Sequence, residues 1–390
     1  MFHVASPTEA AILFVNNYPM TTAAELVADG RYPAHHLWGS DTLRASAGFR
    51  VDVVEPDDWA AASAWRGAAL RHLGSLPRQI DVVRRARSAW AVYAANEADL
   101  RLLCLARRAG LFGLPLVVLF HHVPGPKSRA WVRGVDVALH LSDVVGHALR
   151  EEMGLPAERV VAVRMGPDLD FRGYAGGAAR PAAHGTPAGA VPLVVSAGKT
   201  GRDSATLFEA LRVVDVPAIM YVRDAGGPLG RSPWTPAASH RVRIVRLAGE
   251  DQHPYEDVLA DLKCADVVAI PLEPSGRGLA GLTELLDAMA LGKPVVMTRN
   301  PLVDVDIEEI GCGTWVAPGD VAGWTRALDR LRADPAERVR MGQRGRAAVE
   351  EGLNYQAFCD TICEVFSRLW RQRRGSATPR VSTRGHAGSV

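Results

Sequence analysis

The sequence is poor in lysine, cysteine and aromatic residues, and it has no long apolar run. It contains five cysteines, 6% aromatic residues and only four lysines among its 45 basic residues. The longest apolar runs, such as 114–120, are far shorter than the ~20 residues that a membrane-spanning helix needs. The N-terminus lacks the basic start and following apolar block that are typical of a signal peptide. We therefore expect a cytoplasmic protein.

The cysteines argue against a disulfide framework or a zinc site. Their number is odd, their spacing is irregular, and no two are separated by two residues. Cys359 and Cys363 share one face of an expected helix, where buried and unreactive thiols are commoner than a ligand pair. The net charge of +2 gives no indication of a nucleic-acid partner.

A chain of 390 residues is long enough for two domains. In residues 1–171, continuous apolar runs alternate with expected helices such as 98–108, a pattern typical of a parallel sheet covered on both faces. The runs are 11–15, 49–54, 90–95, 115–120, 134–139 and 160–163. A second alternating series occupies residues 193–352, so the sequence predicts a second domain of the same kind.

The segments that follow these two series differ in composition. Residues 172–192 are rich in glycine, alanine and proline and predict a linker. Residues 353–374 carry an amphipathic stripe and predict a helix that packs back across the domains, whereas 375–390 predict a disordered tail. We therefore expect an α/β fold of two Rossmann-like, doubly wound domains that face a central cleft.

The strongest functional pattern is residues 276–298, where a glycine loop leads into an expected helix that has Thr283 as its N-cap. Loop glycines allow backbone amides to approach an anion, and the helix start adds partial positive charge. Asp287, one turn further on, is placed to accept hydrogen bonds from vicinal hydroxyls such as those of ribose. An ordinary helix with a surface aspartate fits the same residues.

Two further patterns follow expected strands. Gly198, Lys199 and Arg202 come after the first strand of the second domain, where two cations suit a diphosphate. A turn with solvated charges is the alternative. His121 ends a buried strand of the first domain and would face the crevice, where it can bind a sugar hydroxyl. A structural histidine with a backbone partner is the alternative there.

These residues resemble a known family. The segment LDAMALGKPVV, preceded by a Gly-x-Thr loop, is similar to the donor-site helix of retaining glycosyltransferases of family four, which have the GT-B fold. Residues 194–199, 255–271 and 163–171 resemble further segments of that family in the same order. The resemblance covers roughly residues 90–370 and is strongest in the second domain.

The resemblance implies an enzyme that moves a sugar from a nucleoside-diphosphate sugar to an acceptor hydroxyl, with no metal and no further cofactor. The catalytic residues it implies are His121, Lys199 and Arg202. The donor-binding residues it implies are Gly198, Gly278, Gly281, Leu282, Thr283 and Asp287. In this assignment Lys199 and Arg202 bind the diphosphate, Asp287 binds the ribose, and His121 touches the sugar near the reacting carbon.

The chain departs from the family pattern in two places. Leu279 stands where the family has a glutamate that contacts the sugar, and Glu273 and Glu284 are out of register. A long insert, 18–40, follows the first strand, and its residues fit either a loop packed by its tryptophan or an acceptor site. The expected acceptor-side residues are Asn17, His35, His36 and Trp38.

Two Asp-x-Asp sequences, at 168–170 and 304–306, look like metal-binding motifs, but neither has companion ligands in the sequence. Arginines at 84, 85 and 87 and in 101–108 offer weak contact with an anionic membrane surface, although solvated faces are the commoner arrangement. The acceptor would be a small molecule or a glycan, in envelope or secondary-metabolite synthesis. Nucleotide base, sugar, acceptor and oligomeric state are not identified.

Two other functions remain open at this point. A non-catalytic nucleotide-sugar-binding or partner subunit is compatible with the missing glutamate at position 279. A nucleotide-sugar 2-epimerase of the same fold would need additional acid and base carboxylates, which the sequence does not locate.

Overall fold

A computed structural model of the protein describes residues 11–56, 74–97, 100–175, 191–198, 201–223, 241–247, 255–274 and 278–376. These residues form two six-stranded sheets, one in each half of the chain, and the strands are parallel. The predicted α/β fold of two Rossmann-like domains is confirmed.

The first sheet has the strand order β2-β1-β3-β4-β5-β6. Its strands are β1 Ala11–Val15, β2 Arg50–Val54, β3 Ala89–Ala94, β4 Leu116–Phe120, β5 Val137–His140 and β6 Val160–Ala162. Its helices are α1 Met20–Ala28, α2 Ser40–Ala45, α3 Leu76–Arg85, α4 Arg101–Arg108, α5 Arg129–Val132 and α6 Asp143–His147. Strands β1, β3 and β4 are buried along their whole length, as expected for a sheet covered on both faces.

The second sheet has the order β12-β11-β10-β7-β8-β9. Its strands are β7 Val194–Ser196, β8 Ala218–Arg223, β9 Val242–Leu247, β10 Val267–Ile270, β11 Val295–Thr298 and β12 Gly313–Val316. The helices are α7 Ser204–Val214, α8 Tyr255–Cys264, α9 Leu282–Ala290, α10 Val321–Ala333, α11 Pro335–Glu351 and α12 Tyr355–Ser376. Sequence analysis did not predict β12, a short edge strand in which only the two end residues are buried.

Several predicted bounds were wrong. Strand β5 begins at Val137 rather than at residue 134, because Gly134 packs against the backbone carbonyl of Cys104 and the chain turns there. The insert 18–40 is not one loop, since it contains α1 and a 3-10 turn, Ala34–Leu37. Of the predicted linker and tail, 176–190 and 377–390 lie outside the described residues.

Helix α12 leaves the second domain and packs on the first. The Tyr355 hydroxyl donates to Asp41 Oδ1 at 2.5 Å, and the Trp370 ring lies 4.9 Å from that of Trp90. Cys359 is buried in this interface, where burial raises the pKa of its thiol to about 12. In the part of the chain that the structure describes, no helix is both long and apolar enough to cross a membrane.

A close helix crossing gives a test of the second domain. A Cβ on Gly342 of α11 would lie 1.9 Å from the carbonyl oxygen of Gly292, which is backbone and has little room to move. We expect Gly342→Ala to lower the free energy of unfolding by about 1–3 kcal/mol, as overpacking does. Gly113→Ala is the matched control, because a Cβ there meets no atom within 4 Å. Similar denaturation midpoints for the two variants would contradict this packing.

Candidate active site

A cleft with a volume of about 900 Å³ lies between the two domains. The first domain lines it with residues of the insert, and the second lines it with the ends of β7 and the start of α9. The lining includes Tyr18, Arg31, Tyr32, His36, Gly198, Arg202, Tyr255, Leu279, Gly281, Thr283, Glu284 and Asp287. The structure therefore brings together the two donor patterns that lie about 80 residues apart in the sequence.

The two patterns are joined by Glu284, in the first turn of α9. Its Oε1 accepts a hydrogen bond from the amide of Ala197 at 2.7 Å, and its Oε2 pairs with Arg202 Nη2 at 2.7 Å. The side chains of Arg202 and Glu284 are only 9% and 6% exposed. The guanidinium lies so close to Gly198 that a Cβ there would be 1.8 Å from Nη2. Glu284, which sequence analysis set aside as out of register, holds the site together.

This pairing corrects the predicted state of Arg202. The sequence predicts a cation available to a diphosphate, whereas the structure gives Arg202 a buried carboxylate partner. Arg31, the other arginine in the described lining, pairs with Glu256. The predicted companion Lys199 lies outside the described residues, as do 275–277 of the glycine loop.

Helix α9 begins at Leu282, with Gly281 rather than Thr283 as its N-cap. Gly281 has φ of +88°, and a Cβ there would be 2.7 Å from Cε of Met297, so the turn requires glycine. The amide of Leu282 closes the turn onto the Leu279 carbonyl at 3.3 Å. Thr283 is exposed and faces the cleft. The start of the helix is therefore accessible from the cleft at Thr283. The amide of Leu282, a predicted donor-binding residue, already donates to the Leu279 carbonyl.

Asp287 lies deeper in the cleft and is 6% exposed. Its Oδ1 accepts hydrogen bonds from the hydroxyls of Tyr174, at 2.5 Å, and Tyr255, at 3.0 Å. Burial raises the pKa of this carboxyl to about 7, and the two tyrosine bonds lower it only in part. Sequence analysis placed Asp287 correctly at one turn inside α9, but it missed both tyrosines, which come from distant segments.

The histidine that reaches the glycine loop is His122, not His121. A Cβ on Gly278 would lie 3.0 Å from Cδ2 of His122, and the two residues form an isolated bridge between the domains. Nδ1 of His122 lies 2.6 Å from Glu97 Oε1, and this bond raises the pKa of the imidazole. Burial alone would raise the pKa of Glu97, but the His122 bond and the nearby histidines lower it below its usual value.

His121 has a backbone partner, which was the structural alternative given above for this residue. Its Nε2 lies 2.7 Å from the backbone oxygen of Ala95, and its ring meets Trp38 edge-on at 5.0 Å. Burial lowers the pKa of this imidazole. Neither His121 nor His122 is among the described residues that line the cleft.

Two of the four predicted acceptor residues are packed. Trp38 is buried and donates from Nε1 to the Tyr18 hydroxyl at 2.7 Å, and buried His35 accepts from the Asp168 amide at 3.1 Å. Of the four predicted residues, only His36 lines the cleft, while exposed Asn17 does not. Trp38 therefore packs the insert, which is one of the two alternatives that the sequence left open, and does not line the cleft.

Both Asp-x-Asp sequences have structural partners. Asp168 accepts the amide of Ala34 at 2.8 Å. Asp304 accepts the amide of Asp143 at 2.7 Å and the Ser142 hydroxyl at 3.3 Å, and so joins the second domain to the start of α6. Among the described residues, no three His, Cys, Asp or Glu side chains are grouped to hold a metal ion.

Comparisons with known proteins agree with this architecture. A family model described as "Glycosyl transferases group 1" matches residues 247–348. D-inositol 3-phosphate glycosyltransferase of Corynebacterium efficiens is 27% identical over 331 residues, which are 79% of this chain and 68% of the relative. The protein of the same name from Saccharomonospora viridis is 27% identical over 68% of this chain and 67% of its own. These matches support a family-four-like glycosyltransferase.

Solved structures share the fold of this glycosyltransferase. Sucrose-phosphate synthase from Thermosynechococcus elongatus has a TM-score of 0.63 at 16% identity, covering 94% of this chain and 100% of that one. Anabaena HepE in complex with UDP and glucose has a TM-score of 0.58 at 17% identity, covering 92% and 100%. The likeness extends over both domains, and the fold is GT-B.

The Arg202–Glu284 pair gives a stability test. Removing one partner leaves the other charge buried, so we expect Arg202→Ala to lower the free energy of unfolding by about 3–5 kcal/mol in urea denaturation. The double variant Arg202→Ala/Glu284→Ala should lose less than the sum of the two single variants. Arg31→Ala is the control, since its pair with Glu256 is about half exposed and its loss should be much smaller. Additive losses would contradict a coupled pair.

Asp287 gives a pH test. Because its pKa of about 7 lies above that of an unfolded aspartate, the carboxyl favours folding fully below pH ~4, and this contribution is lost as pH rises through 7. We expect the stability of the wild type, relative to Asp287→Asn, to fall by about 2–3 kcal/mol between pH 5 and 8. Asparagine keeps an oxygen for the two tyrosines. Parallel pH profiles in urea denaturation would contradict the raised pKa.

Proposed function

We propose that this glycosyltransferase is a retaining enzyme that transfers a sugar from a nucleoside diphosphate to an acceptor hydroxyl. The observation that supports it most is the bond from Glu284 to Ala197, which brings the turn after β7 to the start of α9 at one cleft. In open α/β sheets, ligands bind beyond the carboxyl ends of the strands, and phosphates favour helix N-termini.

The diphosphate would lie against the exposed start of α9 at Thr283 and the turn at Gly198. Arg202 shares its charge with Glu284, so Lys199 is the remaining predicted cation for the leaving group. Stabilising charge on the departing phosphate is the largest expected catalytic contribution. We propose that these groups, rather than a metal or another cofactor, balance that charge, in keeping with the family resemblance.

Asp287 would bind the ribose hydroxyls, as its place in α9 and the resemblance imply. Its Oδ1 is engaged by two tyrosines, which leaves the ribose to approach the other carboxylate oxygen. Glu284 and Asp287 both have structural partners, so neither is assigned as a nucleophile. The acceptor oxygen would then form its bond to the anomeric carbon on the face from which the diphosphate leaves, and its proton would pass to a phosphate oxygen of the donor.

His122 of the first domain contacts Gly278 of the glycine loop, and we propose that it takes the place assigned to His121. It is 58% exposed and stands against Gly278 when the domains are together. Domain closure that assembles a site in this way is a common feature of transferases. The relatives' name favours a phosphorylated polyol as the first acceptor to test, and a cytoplasmic location fits a nucleotide-sugar donor.

A substitution of Lys199 tests the proposed transferase function. We expect Lys199→Gln to lower kcat by ~10²-fold, the usual cost of losing one oxyanion partner. Lys127→Gln, on an exposed lysine of the first domain, is the control. A thermal-shift screen of nucleotide sugars identifies the donor, because a ligand of the folded state raises Tm. NMR of the product should find the anomeric configuration of the donor retained.

Other results would favour the other functions. Near-wild-type turnover in Lys199→Gln would remove the phosphate assignment. Donor binding in calorimetry without transfer to a broad acceptor panel would indicate a non-catalytic subunit. Isomerised nucleotide sugar without any acceptor would indicate an epimerase.

A further inference from the structure

The ribose end of the cleft is closed by aromatic rings from both domains. The ring of Tyr32, in the insert, stacks on His36 with centroids 4.2 Å apart and meets Tyr255 of α8 edge-on at 5.1 Å. His36 and Tyr255 also meet edge-on, at 5.8 Å. All three residues line the cleft. We call Tyr32, His36 and Tyr255 the aromatic corner.

The aromatic corner is adjacent to Asp287. The hydroxyl of Tyr255 donates to the Asp287 carboxylate at 3.0 Å. The same carboxylate is near enough to Tyr32 to help raise the pKa of that phenol, after burial, to about 12. A group attached to a ribose held by Asp287 would therefore lie next to these rings.

The insert holds Tyr32 in a fixed position. The amides of Arg31 and Tyr32 both bond to the Leu26 carbonyl, at 2.9 and 3.2 Å, and end α1 tightly. Just beyond, the amide of Ala34 donates to Asp168 at 2.8 Å. These bonds anchor the segment on both sides of Tyr32. It is a preformed wall of the cleft.

We propose that the aromatic corner receives the nucleobase of the donor, so that Tyr32 of the first domain takes part in nucleoside recognition. Aromatic side chains bind bases through their π faces, and a fixed ring does so at low entropic cost. The assignment rests on the proposed function, since it requires a nucleoside diphosphate in this cleft. It gives the insert a role in donor binding rather than in acceptor binding.

Calorimetry on the full chain tests this role. The ligands are the diphosphates of uridine, guanosine and adenosine, and inorganic pyrophosphate serves as a probe without a base. We expect Tyr32→Ala to raise the Kd of the preferred nucleoside diphosphate about tenfold or more, as loss of one stacking ring does, and to leave the pyrophosphate Kd unchanged. Tyr32→Phe keeps the ring and should stay within about threefold of the wild type.

Two further variants separate the ring from its surroundings. Tyr32→Leu fills similar space without an aromatic face and should weaken nucleotide binding nearly as much as Tyr32→Ala, even if the alanine variant folds poorly. Arg31→Ala breaks the neighbouring ion pair with Glu256 but keeps the ring, so its effect should be smaller.

The contrary outcomes are distinct. Equal losses in Arg31→Ala and Tyr32→Ala would mean that the segment only holds the domains together, and this would overturn the proposal. So would a matching loss of pyrophosphate binding, or an effect confined to the acceptor KM. A wild-type chain that binds no nucleoside diphosphate would sink the proposed function itself, whereas nucleotide binding that is insensitive to Tyr32→Leu would sink only this inference.

Discussion

The architecture of the cleft depends on the buried carboxylate of Glu284. It accepts the Ala197 amide with one oxygen and the Arg202 guanidinium with the other, and so joins the end of β7 to the first turn of α9. A carboxylate this deeply buried is tolerated only with such partners, because desolvation is otherwise too costly. The same contact that orients the donor-side elements also removes Arg202 as an independent charge. Under the proposed function, anion binding would thus fall to the helix start and to Lys199.

The two domains meet through a few polar contacts around this cleft. His122 contacts Gly278, and Arg31 pairs with Glu256 at the rim of the cleft. Asp304 accepts a hydrogen bond from the amide at the start of α6. The hydrophobic core continues through both sheets and α12 beneath them. Exposed ion pairs contribute little to stability, so the apolar contacts hold the domains while the polar ones set their alignment.

The insert after β1 changes the character of the site relative to what the sequence predicted. Its tryptophan and one of its histidines are core residues, and the part that faces the cleft is the stacked pair Tyr32 and His36. Together with Asp287 and its two tyrosine donors, this gives a half-apolar pocket at the end where a nucleoside would lie. Because burial holds the pKa of Asp287 near 7, the charge of this pocket changes within the physiological pH range.

The sequence by itself determined the two alternating sheet domains, the bounds of most core strands and the position of Asp287 within α9, because apolar periodicity and glycine punctuation are local properties. It did not determine which side chains meet. Glu284 and Arg202 are 82 residues apart, Tyr174 and Asp287 are 113 apart, and His122 contacts Gly278 across the domain boundary. No local pattern encodes such pairs, since they arise only when distant segments fold together, within the second domain or across the cleft. The tertiary structure therefore decided which charges are neutralised, which histidine reaches the donor loop and what the insert does.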